Sequence, residues 1–316
     1  MPDDRRTIAA LGEFGLIAEV THDRVQPPST LLGPGDDAAV VATPDGRVVA
    51  TTDVLVAEVH FRLDWSTPEQ VGRKAAAANL ADIAAMGAVP TALLVGLAAP
   101  PDTPIATLTG LADGLWAEAE GVGAGLVGGD VVTSATLTLA VTALGSLEGR
   151  PPVTRSGARA GDVVALAGRL GWAGAGLAVL QRGFRSPGAV VAAHRVPEPP
   201  YAAGPAAAAG GATAMIDISD GLVADLGHIA MASGVVIDVH RPDVPQKLVE
   251  VGAALGIDPV SFVLTGGEDH ALAATFPPDA PLPAGFEPIG EVRAGDAAVL
   301  VEGRPYGGDS GWVHFA

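Results

Sequence analysis

The sequence predicts an α+β protein built from two α/β domains, and three observations support this. Short apolar runs typical of strands alternate with helical patterns along the chain. The length of 316 residues is enough for two cores of ordinary size. The segment from Gly149 to Asp162 is rich in Gly, Pro and Arg and follows an alternating strand pattern. We therefore expect domains spanning residues 1–150 and 151–316.

Seven runs predict strands, and one helix has clear signals at both ends. The helix runs from Pro68 to Met86, with Thr67 as N-cap, Gln70 completing a capping box and Gly87 as the stop. In chain order, the predicted strands are Arg47–Thr52, Thr91–Leu97, Thr136–Leu144, Val163–Ala167, Ala214–Ile218, Val235–Val239 and His270–Phe276.

Three other segments have less regular patterns. The uncharged run from Ile83 to Pro101 is interrupted by glycines and prolines, which favours a helix end, a turn and a buried strand over a membrane span. GWAGAG, beginning at Gly171, departs from the dinucleotide-binding spacing and predicts a tight turn into a helix. Gly183–Gly211 lacks periodicity, and we expect a surface excursion there.

Composition excludes several classes of protein. Hydrophobic residues make up 48% of the chain and aromatics only 4%, which is typical of a globular protein packed from small side chains. Without cysteine, disulfides and thiolate metal sites are excluded, and the N-terminus shows no signal-peptide pattern, so we expect a cytoplasmic protein. A formal net charge of −18 disfavours nucleic acid and anionic membranes as partners.

Aspartates stand where buried strands end or beside glycine-rich turns, where ligand sites of α/β proteins form. One of them, Asp82, interrupts the apolar stripe of the Pro68–Met86 helix. Such a set of hard oxygen donors favours Mg²⁺, although any single aspartate could instead be an N-cap or turn residue. The set consists of Asp36, Asp37, Asp53, Asp82, Asp130, Asp217 and Asp220.

Other features fit phosphate binding. The strand-to-helix step at Ser219–Gly221 would offer free backbone amides and the positive end of a helix dipole. Gly128 and Gly129 would allow an anion to approach the backbone closely. Arg155 and Arg159 could bind phosphate, or could simply keep a linker soluble. The P-loop pattern GxxxxGK[ST] is absent.

Taken in order, the motifs resemble the thiamine-monophosphate kinase family, in the superfamily of aminoimidazole ribonucleotide synthetase and selenophosphate synthetase. The resemblance extends from Gly12 to Trp312. The motifs are GPGDDAAVV, TTDVLVAEVHF, GRKAAAANLADIAAMGA, GGD, TRSGARAGD, IDISDGLVADLGHIA, LTGGEDH and GWVHF.

The resemblance implies a reaction and an architecture. The reaction would be Mg²⁺-assisted, in-line transfer of the γ-phosphoryl group of ATP to thiamine monophosphate. The N-terminal domain would pair with its twin through a shared β-barrel, giving a homodimer with nucleotide bound near that interface. The C-terminal domain would close over the substrate site.

The resemblance also implies roles for single residues. Thiamine monophosphate would be bound by His60, Glu268 and Trp312. ATP would be contacted by Gly129, Asp130, Arg155 and Ser219, with Asp130, Arg155 and Asp220 as the catalytic residues. Several Mg²⁺ ions would be held by Asp36, Thr51, Thr52, Asp53, Asp82, Asp130, Asp217 and Asp220.

The sequence departs from the family pattern in a few places, and two other functions compete. His270 stands where GGEDY is usual, and we expect it to alter the substrate pocket. Another ATP-dependent synthetase of the superfamily is one alternative, but the reactive Cys or selenocysteine typical of selenophosphate synthetases is absent. A non-catalytic protein that binds Mg²⁺ and nucleotide is the other.

Overall fold

The structure, a computed structural model, describes residues 6–34, 39–240 and 242–308. The chain divides into two compact units. The first comprises Met1–Ile83 and Pro90–Glu148, and the second comprises Ala84–Val89 and Gly149–Ala316. The predicted ranges 1–150 and 151–316 do not anticipate the Ala84–Val89 excursion, which belongs to the second unit because Ala84 and Ala85 are buried in its core.

The described part of the first unit contains four helices and six strands. The helices are α1 (Ile8–Leu11), α2 (Glu13–Thr21), α3 (Pro68–Ala85, which ends in the excursion) and α4 (Ile105–Gly121). The strands are β1 (Thr30–Leu32), β2 (Val40–Val41), β3 (Val49–Val56), β4 (Val89–Ala99, which begins at the end of the excursion), β5 (Gly125–Thr133) and β6 (Thr138–Ser146).

Four strands of this unit form a mixed sheet in the order β3-β6-β4-β5. Strand β3 pairs antiparallel with β6, and β4 pairs parallel with β5. Alternate residues of β6, namely Leu139, Val141 and Ala143, are fully buried, as expected for a strand with one face on the core. In this strand order, β3 is one edge of the sheet and β5 is the other.

Glycines allow helices α3 and α4 to pack in backbone contact. A Cβ added at Gly72 would lie 2.0 Å from the carbonyl oxygen of Leu111, and one at Gly114 would lie 2.0 Å from that of Glu69. Any side chain at either position would force the helices apart. This close packing explains how a chain so rich in alanine and poor in aromatics fills its core.

The predicted start and end of α3 are confirmed. The Gln70 amide N–H donates to Thr67 Oγ1 at 3.3 Å, and Gln70 Oε1 accepts from the Thr67 amide N–H at 3.0 Å, so the capping box is present. Gly87 follows the helix with φ +75°, a conformation that favours glycine. The predicted helix end, turn and strand across Ile83–Pro101 are likewise observed as the end of α3, Gly87 and β4, although β4 is only partly buried.

The second unit is built around a seven-stranded sheet in the order β13-β12-β9-β11-β7-β10-β8. Its strands are β7 (Val163–Ala167), β8 (Ala214–Ile218), β9 (Val236–Val239), β10 (Ala271–Phe276), β11 (Phe286–Arg293), β12 (Ala298–Val301) and β13 (Arg304–Pro305). Its helices are α5 (Trp172–Gln181), α6 (Gly188–Arg195), α7 (Ala203–Ala209), α8 (Leu222–Ser233), α9 (Gln246–Leu255) and α10 (Pro259–Thr265).

The expected surface excursion at Gly183–Gly211 is wrong. The segment contains α6 and α7, in which Val190, Val191 and Ala207 are buried. Both helices are short, with eight and seven residues, so the segment spans too few turns for a helical period to be recognised from sequence. By contrast, the predicted turn into a helix at GWAGAG is confirmed, with Gly171 at φ +82° as the N-cap of α5.

Membrane-spanning potential is confined to one bent pair of helices in the described ranges. No single helix there is long and apolar enough to cross a bilayer. The pair α9 and α10 meets the length and composition criteria together, but it bends by 114°. Leu248, Val251 and Phe262 of this pair are buried within the second unit.

Candidate functional site

In the first unit, β3 and α3 bring three of the predicted metal-binding residues together. Thr51 Oγ1 donates to Asp82 Oδ2 at 2.7 Å, so the first half of β3 and the C-terminal half of α3 are directly linked. Asp53 lies two residues beyond Thr51 and therefore on the same face of the strand. Thr51, Asp53 and Asp82 are all half-buried and form one group of oxygen donors.

Asn79, which has no place in the sequence-based site, fixes the strand beside this group. Its Oδ1 accepts the backbone N–H of Asp53 at 3.0 Å, and its Nδ2 donates to the carbonyl of Ala75 at 3.0 Å. Its side chain is fully buried, with 0% exposed. The signal that could have identified it is an asparagine one turn before Asp82 on an otherwise apolar stretch of helix.

Two other predicted metal ligands lie elsewhere on the sheet. Thr52 faces away from Asp53, because adjacent residues of a strand point to opposite faces. Its hydroxyl donates to the carbonyl of Val141 at 3.0 Å and accepts from Thr142 Oγ1 at 3.1 Å. Asp130 lies on β5, at the edge of the sheet opposite β3, and is exposed.

The structure gives a reason for glycine at position 129 that differs from the expected close approach of an anion. A Cβ at Gly129 would lie 2.1 Å from the carbonyl oxygen of Val95, so the neighbouring strand itself demands glycine here. Gly128, Gly129 and Asp130 also line a cleft of about 1010 Å³ within the first unit. Most of the cleft's other lining residues are apolar.

In the second unit, the predicted IDISD and GGEDH motifs lie side by side. Strands β8 and β10 pair antiparallel, with Asp217 opposite Leu272. Beyond the strands, the Glu268 amide donates to the carbonyl of Ser219 at 2.8 Å, and the His270 amide donates to that of Ile218 at 2.9 Å. These two bonds place Asp217, Ser219, Glu268 and His270 at one end of the sheet.

His270 contacts a predicted metal ligand. Its Nδ1 lies 3.0 Å from Asp217 Oδ2, and both side chains are buried. The backbone of His270 adopts φ +52°, which non-glycine residues rarely do. The sequence departure at this position therefore places an imidazole ring directly on the carboxylate of Asp217.

The amides at the start of α8 are hydrogen-bonded within the chain, so the expectation that they would be free is wrong. Asp225 Oδ2 accepts the backbone N–H groups of Ser219, Asp220 and Gly221 at 3.0, 3.0 and 3.1 Å. The Asp225 side chain is almost completely buried, with 2% exposed. Burial, with the nearby Asp217 carboxylate, raises its pKa to about 7, against the opposing effect of the amide hydrogen bonds.

The side chains of the GGEDH loop have different roles. Glu268, the predicted substrate ligand, is half-buried, with Oε2 3.4 Å from the Nδ1 atom of the buried His194. Asp269 is buried, and its Oδ1 accepts the Ala173 amide at 2.9 Å, capping α5 from outside that helix. Burial raises the pKa of Asp269 to about 6, while hydrogen bonds from the amides of Ala173 and Gly171 oppose the shift.

His60 and Arg155 occupy loops of different units. His60 Nδ1 accepts the amide of Val56 at 3.1 Å, which requires the proton of a neutral ring to be on Nε2. The TRSGAR loop is fixed through Ser233, whose hydroxyl donates to the carbonyl of Arg155 at 2.9 Å and accepts the amide of Gly157 at 3.1 Å. The side chains of Arg155 and Arg159 are exposed.

Three predicted site residues, Asp36, Asp37 and Trp312, lie outside the described residues. Within the described ranges, no three His, Cys, Asp or Glu side chains lie close enough together to form a metal site by themselves. The single constellation of aspartates therefore stays a prediction.

Comparison with known proteins assigns the two halves of the chain to one family. Residues 35–147 match the N-terminal domain of AIR synthase related proteins, and residues 159–279 match the C-terminal domain. Thiamine-monophosphate kinase of Mycobacterium tuberculosis (strain ATCC 25618 / H37Rv) is 53% identical over 312 residues, covering 98% of this chain and 93% of that protein. The enzyme of the same name from Corynebacterium glutamicum is 44% identical over 331 residues, with coverage of 99% and 97%.

A solved structure agrees with this assignment. The structure described as AaThiL complexed with AMPPCP and TMP has a TM-score of 0.79 and 32% identity, and covers 96% of this chain and 97% of that one. The two AIR synthase related domains, with mixed α/β content, follow one another along this chain, and the similarity to the solved structure extends beyond the residues they match. The chain belongs to the thiamine-monophosphate kinase family of AIR synthase related proteins.

Proposed function

We propose that the chain transfers the γ-phosphoryl group of ATP to thiamine monophosphate, giving thiamine diphosphate and ADP. The observation that carries this proposal is the 53% identity to a thiamine-monophosphate kinase over 98% of the chain. The related AaThiL structure is described as a complex with AMPPCP, an ATP analogue, and TMP, which supports the same pair of substrates.

The donor set near β3 and α3 fits Mg²⁺. Thr51, Asp53 and Asp82 supply only oxygen atoms, and two carboxylates with a hydroxyl leave room for water and phosphate oxygens, which Mg²⁺ usually retains. We propose that these residues hold one Mg²⁺ ion and that Asp36, Asp37, Thr52 and Asp130 contribute to binding several ions in all. In the second unit, Asp217 and Asp220 are the proposed ligands.

The reaction needs charge neutralisation more than a general base. The acceptor is a phosphate oxygen, which is already anionic near neutral pH, so no side chain has to remove a proton from it. Bound Mg²⁺ would neutralise the phosphates and align them for in-line transfer. Thr51 orients the Asp82 carboxylate by its hydrogen bond, and Asn79 fixes the strand that carries Asp53.

The proposed nucleotide contacts are Gly129, Asp130, Arg155 and Ser219. The apolar cleft beside Gly129 and Asp130 has the size and lining to accept a purine base. Arg155 is exposed on a loop whose backbone Ser233 holds in place, so its guanidinium can reach phosphate oxygens. With Asp130 and Asp220, Arg155 forms the proposed catalytic set.

Thiamine monophosphate would be recognised by His60, Glu268 and Trp312. Because His60 accepts the Val56 amide through Nδ1, its Nε2–H is a hydrogen-bond donor suited to a phosphate or pyrimidine acceptor. The Glu268 carboxylate can attract the cationic thiazolium ring or accept from the aminopyrimidine. The indole of Trp312 would stack on the same cation.

We further propose that the protein is a cytoplasmic homodimer paired through the sheet of its first unit. Val54 and Val132 are 49% and 50% exposed on the two edge strands β3 and β5, an arrangement that a shared β-barrel would cover. Analytical ultracentrifugation tests the dimer. A monomer at micromolar concentration would contradict this part of the proposal.

The activity is tested by incubating the purified protein with ATP, Mg²⁺ and thiamine monophosphate, followed by chromatography of the thiamine phosphates. We expect thiamine diphosphate and ADP in equal amounts. Replacing thiamine monophosphate by thiamine should give no product, and EDTA should abolish turnover. Release of inorganic phosphate without thiamine diphosphate would favour a synthetase, and nucleotide binding without turnover would favour a non-catalytic protein.

A further inference from the structure

The loop between β8 and α8 is organised around a carboxylate of its own chain. One oxygen of Asp225 accepts three consecutive amides, those of Ser219, Asp220 and Gly221, at 3.0 to 3.1 Å. Asp225 lies in the first turn of α8, where the helix dipole also favours a negative charge. A buried carboxyl oxygen of the protein therefore occupies the position in which helix N-termini commonly bind a phosphate.

The loop is also held through its carbonyl groups and by close packing against α10. The carbonyls of Ser219 and Ile218 accept amides of Glu268 and His270. Gly221, at φ +126°, lies so close to α10 that an added Cβ would be 2.8 Å from the carbonyl carbon of Thr265. With its amides bound on one side and its carbonyls on the other, the loop has little freedom to rearrange around a ligand.

The side chains of the loop are partly exposed, whereas its amides are bound. Ser219 and Asp220 are both half-buried, so part of each residue reaches solvent. A phosphate group would have to displace a buried acceptor of three hydrogen bonds to reach the amides, and a buried carboxyl group left without these bonds is costly. At this loop, the groups available for contact with ATP are therefore the Ser219 hydroxyl and the Asp220 carboxylate.

We propose that Asp225 is a positioning residue that fixes the Ser219–Gly221 loop and excludes phosphate from its amides. Phosphate is then bound at this loop by the side chains of Ser219 and Asp220. Ser219 contacts it directly, and Asp220 acts through a bound metal. This inference rests on the proposed function, because the roles of Ser219 and Asp220 are those proposed for the kinase reaction.

The test compares wild-type protein with Asp225→Ala and Asp225→Asn. Asparagine keeps an oxygen that can accept the amides but carries no charge, and it serves as the conservative variant if the alanine variant folds poorly. Asp258→Ala is the matched control, because Asp258 is an exposed acid that caps another helix of the same unit, α10, by accepting the Val260 amide.

The first readout is hydrogen exchange of the amides of residues 219–221 in the protein without ligands. We expect exchange to be roughly tenfold faster or more in Asp225→Ala, since the single acceptor of three hydrogen bonds is lost, and to be intermediate in Asp225→Asn. Inorganic phosphate should slow exchange of these amides in Asp225→Ala and leave it unchanged in wild type. Equal exchange in wild type and Asp225→Ala, or equal protection by phosphate, would overturn the proposal.

The second readout is steady-state kinetics. Loss of loop order should lower kcat about tenfold or more and raise the Mg²⁺ concentration for half-maximal rate, while KM for thiamine monophosphate changes less than about threefold. Asp225→Asn should recover part of kcat, and Asp258→Ala should resemble wild type. If the loop amides exchange faster but kcat and the Mg²⁺ dependence stay within about twofold of wild type, the positioning role is refuted.

The two readouts separate this inference from the proposed function. Hydrogen exchange and phosphate protection need no turnover and decide the structural role of Asp225 by themselves. A wild-type protein that forms no thiamine diphosphate would refute the kinase proposal, whatever the exchange measurements give.

Discussion

Asp269 offers the most quantitative prediction, because its carboxyl group is buried and its pKa is raised. The side chain is 5% exposed and caps α5 through the Ala173 amide. We predict that Asp269→Asn makes the protein's stability less dependent on pH. Asparagine is nearly isosteric and neutral, and its Oδ1 can still accept the Ala173 amide.

The magnitude follows from proton linkage. The pKa of Asp269 is about 6 in the folded protein against an ordinary value of 3.8, so the folded state binds more protons than the unfolded state between these pH values. The free energy of unfolding therefore falls as pH rises through this window and levels off above it. Each pKa unit corresponds to about 1.4 kcal/mol, giving a total loss of about 3 kcal/mol.

The assay is chemical denaturation of wild type and variant from about pH 5 to pH 8, which stays above the sequence pI of about 4.6. About 1.4 kcal/mol of the loss falls in this range. The variant should therefore gain about 1.4 kcal/mol relative to wild type on going from pH 5 to pH 8. Asp258→Asn, at an exposed N-cap of the same unit, is the control for replacing a capping aspartate by asparagine.

Two results would refute this reasoning. Parallel stability curves for wild type and Asp269→Asn would mean that Asp269 does not titrate differently in the folded state. A carboxyl pKa at or below about 4, measured directly by carbon NMR of the folded protein, would show that burial is compensated more fully than its contacts indicate.

Three further predictions concern the first unit. Asn79→Ala should destabilise the protein by about 1–3 kcal/mol in denaturant titrations, since it removes the acceptor of the Asp53 amide; a change below about 0.5 kcal/mol would contradict this. Gly114→Ala should lower the free energy of unfolding by about 1–3 kcal/mol or more, because the added Cβ would meet α3. Gly121→Ala, at the open end of the same helix, is the control and should not change it measurably. Equal effects of the two substitutions would disprove the close packing. Asp82→Asn should abolish turnover with an unchanged circular dichroism spectrum, and an active Asp82→Asn enzyme would contradict its metal role.

Much of the fold could be predicted where local chemistry is decisive. The capping box at Thr67 and Gln70 and the glycine after the helix mark α3 because they depend on a few adjacent residues. The same holds for the turn into α5 at Gly171. The glycines of GLVGGD are typical of a turn, but they lie in strand β5. At Gly129 the cause is the neighbouring strand β4, which is distant in sequence, because an added Cβ would lie 2.1 Å from the carbonyl oxygen of Val95.

In the candidate site, too, the features set by adjacent residues could be predicted, and those set by residues distant in sequence could not. The stripe position of Asp82 indicates a polar role for one face of α3, and the structure joins it to Thr51 of β3. No local pattern indicates that Asp225 reaches back to three amides, because an acid in the first turn of a helix is common in solvent. The environment of His270 likewise depends on the pairing of β8 with β10, which sequence periodicity does not specify.

The fate of the γ-phosphoryl group tests the central claim most directly. Wild-type protein is incubated with ATP labelled at the γ-phosphorus, Mg²⁺ and thiamine monophosphate, and the labelled products are separated. Direct transfer predicts that the label appears in the terminal phosphate of thiamine diphosphate, with one ADP formed for each. Label found only in inorganic phosphate, or remaining in ATP, would contradict the account.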